Sequence, residues 1–280
     1  MPDPLHDDLF RHIAACRNAV LPAGREPFLL GPHRVGWLLP DLADRVVAGG
    51  ARRAGDAVVL DDPAALEPLA RRLAEDGALP WRGEAFDVRT APDGPVLAQV
   101  DRGAISALGM LSLGVHLNGI VRRADGPWLW VGRRARDKQL EPGKLDQLVA
   151  GGVPAGHTLD ETLRKEAEEE AALPASLLRH ARPGNAIAYV MLRPEGLRRD
   201  WLRCYDLDLP ESFMPRPVDG EVEAFELWPL PAVLDRVRRT DEFKFNVNLV
   251  LIDLFLRERL IDPEGATGRQ LRAALDAAEL

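Results

Sequence analysis

Between residues 5 and 19 apolar side chains return at helical spacing (Leu5, Phe10, Ile13 and Ala14, with Val20 close by), and Pro22 with Gly24 ends the run, so the pattern predicts an N-terminal helix. Residues 27–39 then read as two short strands, PFLL and RVGWLL, turning at Gly31-Pro32. A short helix is expected from Asp41 to Val47, stopped by Gly49-Gly50, and a strand at AVVL, 57–60. An amphipathic helix follows from about Pro63 to Ala74, with Asp61 or Asp62 placed to cap its first turn. FDVRT and VLAQV form a hairpin around Pro92-Asp93-Gly94, which completes a small α+β unit ending near residue 110.

From His116 the texture changes. HLNGIVRR and WLWVGRR alternate as strands about a turn at Asp125-Gly126-Pro127. A glycine-rich loop, Gly151 to Gly156, leads into a helix from about Leu159 to Ala172. Further strands are expected at 186–192, 201–207 and 222–228, then helices at Pro231–Arg238, Asn246–Arg259 and from Gly268 onward. No internal repeat is visible. The reading is an α/β (α+β) protein in which strands share a sheet with flanking helices, divided as 1–110, 111–265 and a C-terminal helix at 266–280. A length of 280 residues favours two domains.

Composition fits a folded chain, with 46% hydrophobic and 29% charged residues. A net charge of -8 opposes any broad nucleic-acid surface, since nucleic-acid phosphates would meet a repulsive field. A local basic pocket stays open: Arg133, Arg134, Arg136, Lys138 and Lys144 either gather there or make a solvated strand edge and loop. Cys16 and Cys204 give neither a disulfide framework nor a cysteine zinc site, and suit buried thiols in a reducing compartment. Residues 1–11 lack the basic and apolar regions of a secretory signal, and no apolar run is long enough to span a bilayer. The expectation is a cytoplasmic protein without membrane or nucleic-acid partners.

The chemistry concentrates in GGVPAGHTLDETLRKEAEEEAAL, residues 151–173. At helical spacing i, i+3 and i+4, Glu166, Glu169 and Glu170 share one face while Glu168 points elsewhere. Three carboxylates on one face repel each other unless a divalent cation with oxygen ligands, Mg²⁺ or Mn²⁺, converts the repulsion into binding. The alternative is a solvated helix whose acids pair with Lys165 and Arg164 beside Glu161. Gly151, Gly152 and Gly156 weigh toward the metal, because a glycine loop before a helix lets backbone amides approach a phosphate.

The segment resembles a Nudix box, a glycine loop followed by Arg-Glu, an apolar position and Glu-Glu before a terminal glycine. Glu166 matches the glutamate after the arginine, and Glu169 with Glu170 match the pair. His157 stands in place of the first glutamate, Lys165 in place of the arginine and Ala172 in place of the late glycine, and the loop is one residue shorter. LDQLVAGG (145–152), the run YDLDLPESFMPRPVDGEVEAFELWPL (205–230) and FKFNVNLVLIDLFLRERLIDPEG (243–265) resemble the Nudix subfamily related to thiamine pyrophosphokinase, whose members carry an extra N-terminal domain. The resemblance implies an α/β/α sandwich with a mixed sheet. It also implies a metal-dependent hydrolase that takes thiamine diphosphate, or an oxidised analogue, to the monophosphate. The alternatives are an ADP-ribose or nucleoside diphosphate hydrolase, or a degenerate domain that binds a ligand without turnover; no histidine-rich constellation supports an isoprenoid diphosphate isomerase.

Within that frame Glu166, Glu169 and Glu170 are both metal ligands and catalytic candidates, with Glu166 serving as ligand or as base. Glu221 and Glu223 alternate on a predicted strand and face one side, which makes Glu221 a candidate fourth ligand. Phosphate or substrate contacts are expected from Arg133, Lys144, Gly151, Gly152, Lys244 and Asn246, with Asn248 nearby; Arg134 faces away from Arg133, so one of the two at most takes part. His157 reads as an exposed loop residue, and Trp128, Trp130, Trp201 and Trp228 as core or pocket wall. The N-terminal unit either walls the pocket or pairs two copies of the chain.

Overall fold

The computed structural model describes residues 4–278 and 280; the remainder of the expected 1–110 and 266–280 segments lies outside the described residues. The chain begins with α1 (Pro4–Cys16), then β1 (Glu26–Leu30), β2 (His33–Leu38), α2 (Pro40–Ala48), β3 (Arg52–Ala54) and β4 (Ala57–Leu60). Asp62 accepts the Ala64 amide at 2.9 Å and so starts a 3₁₀ turn that runs into α3 (Leu66–Glu75). A hairpin, β5 (Ala85–Val88) with β6 (Ala98–Asp101), and α4 (Arg102–Ala107) close the unit. Its four-stranded sheet runs β2-β1-β4-β3, and its own apolar core extends from Phe28 to Met110.

The second unit contains β7 (Leu111–Arg123), β8 (Gly126–Arg134), β9 (Leu145–Asp146), β10 (Val149–Gly152), α5 (Leu159–Ala171) and α6 (Ala175–Leu178). It continues through β11 (Arg182–Arg193), β12 (Gly196–Asp208), β13 (Val222–Pro229), α7 (Leu230–Arg239), α8 (Val247–Arg257) and α9 (Ala266–Asp276). The sheet order is β11-β12-β7-β8-β13, with β10 added to β7 and β9 to β8, and β12 running parallel to β7. This is the mixed sheet expected. Alternation along β7 sorts its side chains: Val115 and Leu117 pack toward α5, and Ile120 packs toward α8. Helix α8 is buried from Val247 to Leu256 and is apolar there except for Asn248 and Asp253, the latter paired with Arg257 and Arg272.

Two boundaries differ from the sequence reading. Helix α1 ends at Cys16, and its Leu9, Ile13 and Cys16 pack with α7, α8 and α9 on the second unit, so 1–110 is not one packing unit. An isolated amphipathic helix buries its stripe against whichever apolar surface is vacant, and sequence proximity does not choose that surface. In the same way α9 is no detached tail, because Leu271 and Leu275 enter that same core.

Candidate active site

Helix α5 starts where its sequence provides a cap. The Thr158 hydroxyl accepts from the Glu161 amide at 3.2 Å, and the Glu161 carboxylate accepts from the Thr158 amide at 2.8 Å. The helix ends at Ala172, which adopts a left-handed conformation at φ 51°. That cap position favours glycine, and an alanine there bears the cost of its Cβ.

The face carrying the glutamates is turned toward β10. Glu170 is buried (5% exposed), and its Oε2 accepts from the Ala150 amide at 2.9 Å. Glu166, with its side chain 14% exposed, lies against Gly151 so closely that a Cβ there would stand 2.5 Å from the Glu166 carboxyl carbon. Glu169 is 46% exposed and points outward. The Lys165 ammonium sits between the last two acids, 3.4 Å from Glu166 and 2.7 Å from Glu169. The three expected ligands therefore share a face but not a single point. Among the described residues no group of three acidic, histidine or cysteine side chains converges as a ready cation cage.

Electrostatics nevertheless mark the inner pair. Burial pushes the Glu170 pKa well above the ordinary carboxylate value, and Glu166, Asp146 and Glu221 add to the rise against the Ala150 amide. Burial also raises Glu166; Lys165 offsets part of this, while Glu169 and Glu221 add to it. Glu221 behaves oppositely. Its burial is outweighed by the Lys138 ion pair and by Arg102 and Arg134, so its pKa falls. Excess negative potential at Glu166 and Glu170 and their hard oxygen donors fit a divalent cation, against which the Lys165 ammonium competes for Glu166 and Glu169.

Behind Glu170 lies a buried ionic group that sequence reasoning only partly found. Arg134 donates to Asp146 at 2.8 Å and to the carbonyls of Leu140 and Glu141 at 3.0 and 3.2 Å, and Lys244 stands 3.7 Å from Asp146. Burial would raise the Asp146 pKa, but Lys244 and Arg134 hold it below the ordinary value. Lys244 is itself lowered by burial despite Asp146. Asp146 lies inside the quoted LDQLVAGG run, yet a lone aspartate on a short strand carries no spacing signal. The neighbouring His116 donates through Nδ1 to Gln147, whose amide donates to Asn118 at 2.7 Å; Asn118 in turn donates to Asp206 at 2.8 Å. The acceptor at the far end sets the direction of this chain, while burial, followed by Lys244, lowers the His116 pKa to about 4 against the Gln147 bond.

Several expected contacts are placed elsewhere. Arg133 donates to the Gly143 carbonyl at 3.2 Å and Lys144 to the Asp241 carbonyl, so both are spent on loop backbone. Arg136 is held at 3.8 Å from Glu223, and Lys138 pairs with Glu221. Gly151 and Gly152 pair with Val115 and Gly114 as strand, not open loop. Glu221 and Glu223 are both exposed on either side of buried Val222, and the register shift of β13 against β8 falls between Val222 and Ala224. Asn246 precedes α8 without capping it; its Oδ1 is buried and has no partner, and Asn248 Oδ1 is likewise unpartnered. A depression of about 550 Å³ lies on the outer face of α5, lined by Glu161, Arg164, Lys165 and Glu169 among others, with Glu166 and Glu170 outside its lining.

With this geometry in place, the NUDIX domain family profile matches residues 113–247. Two Arabidopsis thaliana proteins, Nudix hydrolase 20, chloroplastic, and Nudix hydrolase 24, chloroplastic, are each 38% identical to this chain. The matches cover 207 and 212 residues, 74% of this chain in both cases, and 55% and 58% of the relatives. The chain thus spans little more than half their length. The solved structure of DR0079 from Deinococcus radiodurans aligns with 60% of this chain and 97% of its own, at 22% identity and a TM-score of 0.46.

Proposed function

We propose, from the premise that residues 113–247 of this chain form a Nudix domain, that the protein is a divalent-metal-dependent hydrolase of a small diphosphate. The observation that carries the reading is the inward pair Glu166 and Glu170, two carboxylates of raised pKa fixed against β10 by Gly151 and the Ala150 amide. Structural helices rarely bury unpaired acids, since doing so costs stability that no packing returns. Mg²⁺ or Mn²⁺ held by Glu166 and Glu170, with Glu169 and Glu221 at hand, would polarise the phosphoanhydride and acidify a water.

The chain's own residues do the rest. Glu170 is anchored by the Ala150 amide, which suits a ligand whose position must not drift. Glu166, freer and only partly offset by Lys165, is suited to hold or accept a proton at its carboxylate. Arg134 and Lys244 pair with Asp146 and offset part of the repulsion that this third acid adds behind Glu170. The substrate reading is thiamine diphosphate or an oxidised analogue, cleaved to the monophosphate. It rests on the resemblance of residues 145–152, 205–230 and 243–265 to that Nudix subfamily. The place of action is read as cytoplasmic.

A second reading, binding without turnover, is favoured by one observation: the Lys165 ammonium lies between Glu166 and Glu169. Incubation with Mg²⁺ or Mn²⁺ and a panel of thiamine diphosphate, oxythiamine diphosphate, ADP-ribose and nucleoside diphosphates separates the two. Release of phosphate or monophosphate that EDTA abolishes supports hydrolysis. Tight binding of one compound with no turnover of any supports the second reading.

A further inference from the structure

We propose that the accessory unit is a working part of the active site: strand β5 clamps the glycine loop ahead of α5, with Asp87 as the positioning residue. The proposal rests on the hydrolase reading for its kinetic consequence but not for its structural one.

Three successive residues of β5 meet the loop. The Ala85 carbonyl accepts from the Ala155 amide at 2.8 Å. The Phe86 ring lies over Gly152, where an added Cβ would stand 2.7 Å from its Cζ. Both carboxylate oxygens of Asp87 lie within reach of the Gly156 amide, at 3.3 and 3.4 Å. Gly156 itself has φ +76°, a conformation that L side chains rarely adopt, so a glycine lets the loop reach Asp87 without backbone strain. Asp87 is aimed by its own unit, accepting from Arg89 at 3.1 Å and Gln99 at 3.2 Å. The Arg102 guanidinium lies over the Phe86 ring, 5.4 Å from its centre.

These contacts matter because of what the same backbone does a few residues earlier. Ala150 binds Glu170 through its amide, and Gly151 yields its side-chain space to Glu166. Residues 150–152 are held as β10 against β7, and β5 fixes the turn that continues from them at residues 155 and 156, so the backbone beside the two inward carboxylates is held on both sides of the glycine turn. The Gly156 amide, which a phosphate-facing loop would offer to substrate, is occupied by a carboxylate of the protein. The loop is therefore held by anion binding from within the chain, and substrate phosphate is left to the metal and the remaining cations.

The test uses the full-length chain with Asp87→Ala, Asp87→Asn and Phe86→Leu. Amide hydrogen exchange is measured over residues 150–158, and initial rates are measured with Mg²⁺ and the diphosphates named above. The loss of one charge-assisted hydrogen bond predicts exchange about ten-fold faster at residues 155–156 in Asp87→Ala. It also predicts kcat lower by about ten-fold at nearly constant KM. Asp87→Asn, which keeps an acceptor oxygen, restores most of both. Phe86→Leu keeps the accessory core apolar while uncovering Gly152, and it loosens the same loop. Unchanged loop exchange in Asp87→Ala and Phe86→Leu overturns the proposal, as does faster exchange spread evenly over β5, β6 and α3 that Asn fails to rescue. A wild type that turns over none of the diphosphates sinks the hydrolase reading alone, and the exchange data still decide the clamp.

Discussion

The Glu170 carboxylate accepts the Ala150 amide at 2.9 Å, tying the acidic face of α5 to the strand before the glycine loop. In the metal-free protein this acid is buried, with its pKa raised well above 4.5. Its protonated form is the one the fold prefers, so its contribution to stability is complete below the ordinary carboxylate value and is lost as pH rises through the raised one. Glu170→Gln keeps an acceptor for Ala150 and carries no charge. Thermal unfolding without metal should therefore hardly differ between variant and wild type near pH 4, with the variant the more stable at pH 8. Mg²⁺-dependent turnover should fall by about 10²-fold or more in the variant. A variant unstable at every pH would make Glu170 purely structural.

Ala172 offers a prediction free of catalysis. Its φ of 51° closes α5 in the left-handed region without the glycine that a Nudix box carries there. Ala172→Gly should stabilise the chain by about 1 kcal/mol, the strain of the Cβ outweighing the added chain entropy of glycine. Denaturant unfolding at constant m-value measures it. A loss of stability would mean that Ala172 makes contacts worth more than its strain.

How much of this could be read from sequence depends on the range of the interaction. Helix α5 was legible because its cap, Thr158 with Glu161, and its acidic face are written within one segment at fixed helical offsets. The hairpins were legible for the same reason, since turn residues flank alternating runs. Asp87 against Gly156 was not, because it joins positions 69 residues apart and neither side signals the other. The register shift at Val222–Ala224 was not legible either, because alternation along one strand carries no sign of where its partner slips. The partners of Arg133 and Lys144 were not legible, because charge density predicts that cations gather but not what they bind; here they bind backbone carbonyls.

His116 supplies a pH window apart from the carboxylates. Burial first, then Lys244 and Arg134, lower its pKa from 6.5 to about 4, against the opposing pull of Asp146 and Gln147. A depressed histidine is protonated in the unfolded chain before the folded one. Its contribution is thus present above pH 6.5 and is lost as pH falls toward 4. Across that window His116→Gln should lose less stability than wild type, by on the order of 3 kcal/mol. Equal acid sensitivity in the two proteins, followed by chemical denaturation from pH 7 to 4, would show that His116 keeps its ordinary pKa.

Lys165 tests whether the outer glutamate is reserved for the helix or available to a metal. Its side chain is 43% exposed, and the ammonium contacts Glu169 one turn on and Glu166 beside it. A solvated i, i+4 pair of this kind is worth about 0.5 kcal/mol, so Lys165→Gln should destabilise the metal-free protein only slightly. Its effect on metal binding should be larger. Removing a positive charge from between two carboxylates relieves repulsion of the incoming cation by about 1 kcal/mol after solvent screening, which lowers the half-saturating Mg²⁺ concentration about five-fold. Titration of Mg²⁺ against turnover, or of Mn²⁺ by paramagnetic resonance where turnover is slow, reads this directly. A higher metal requirement in Lys165→Gln would reverse the assignment. The ammonium would then be aligning Glu166 and Glu169 for the cation, the task an arginine fork performs by geometry, and Lys165→Arg should then bind the metal more tightly than wild type.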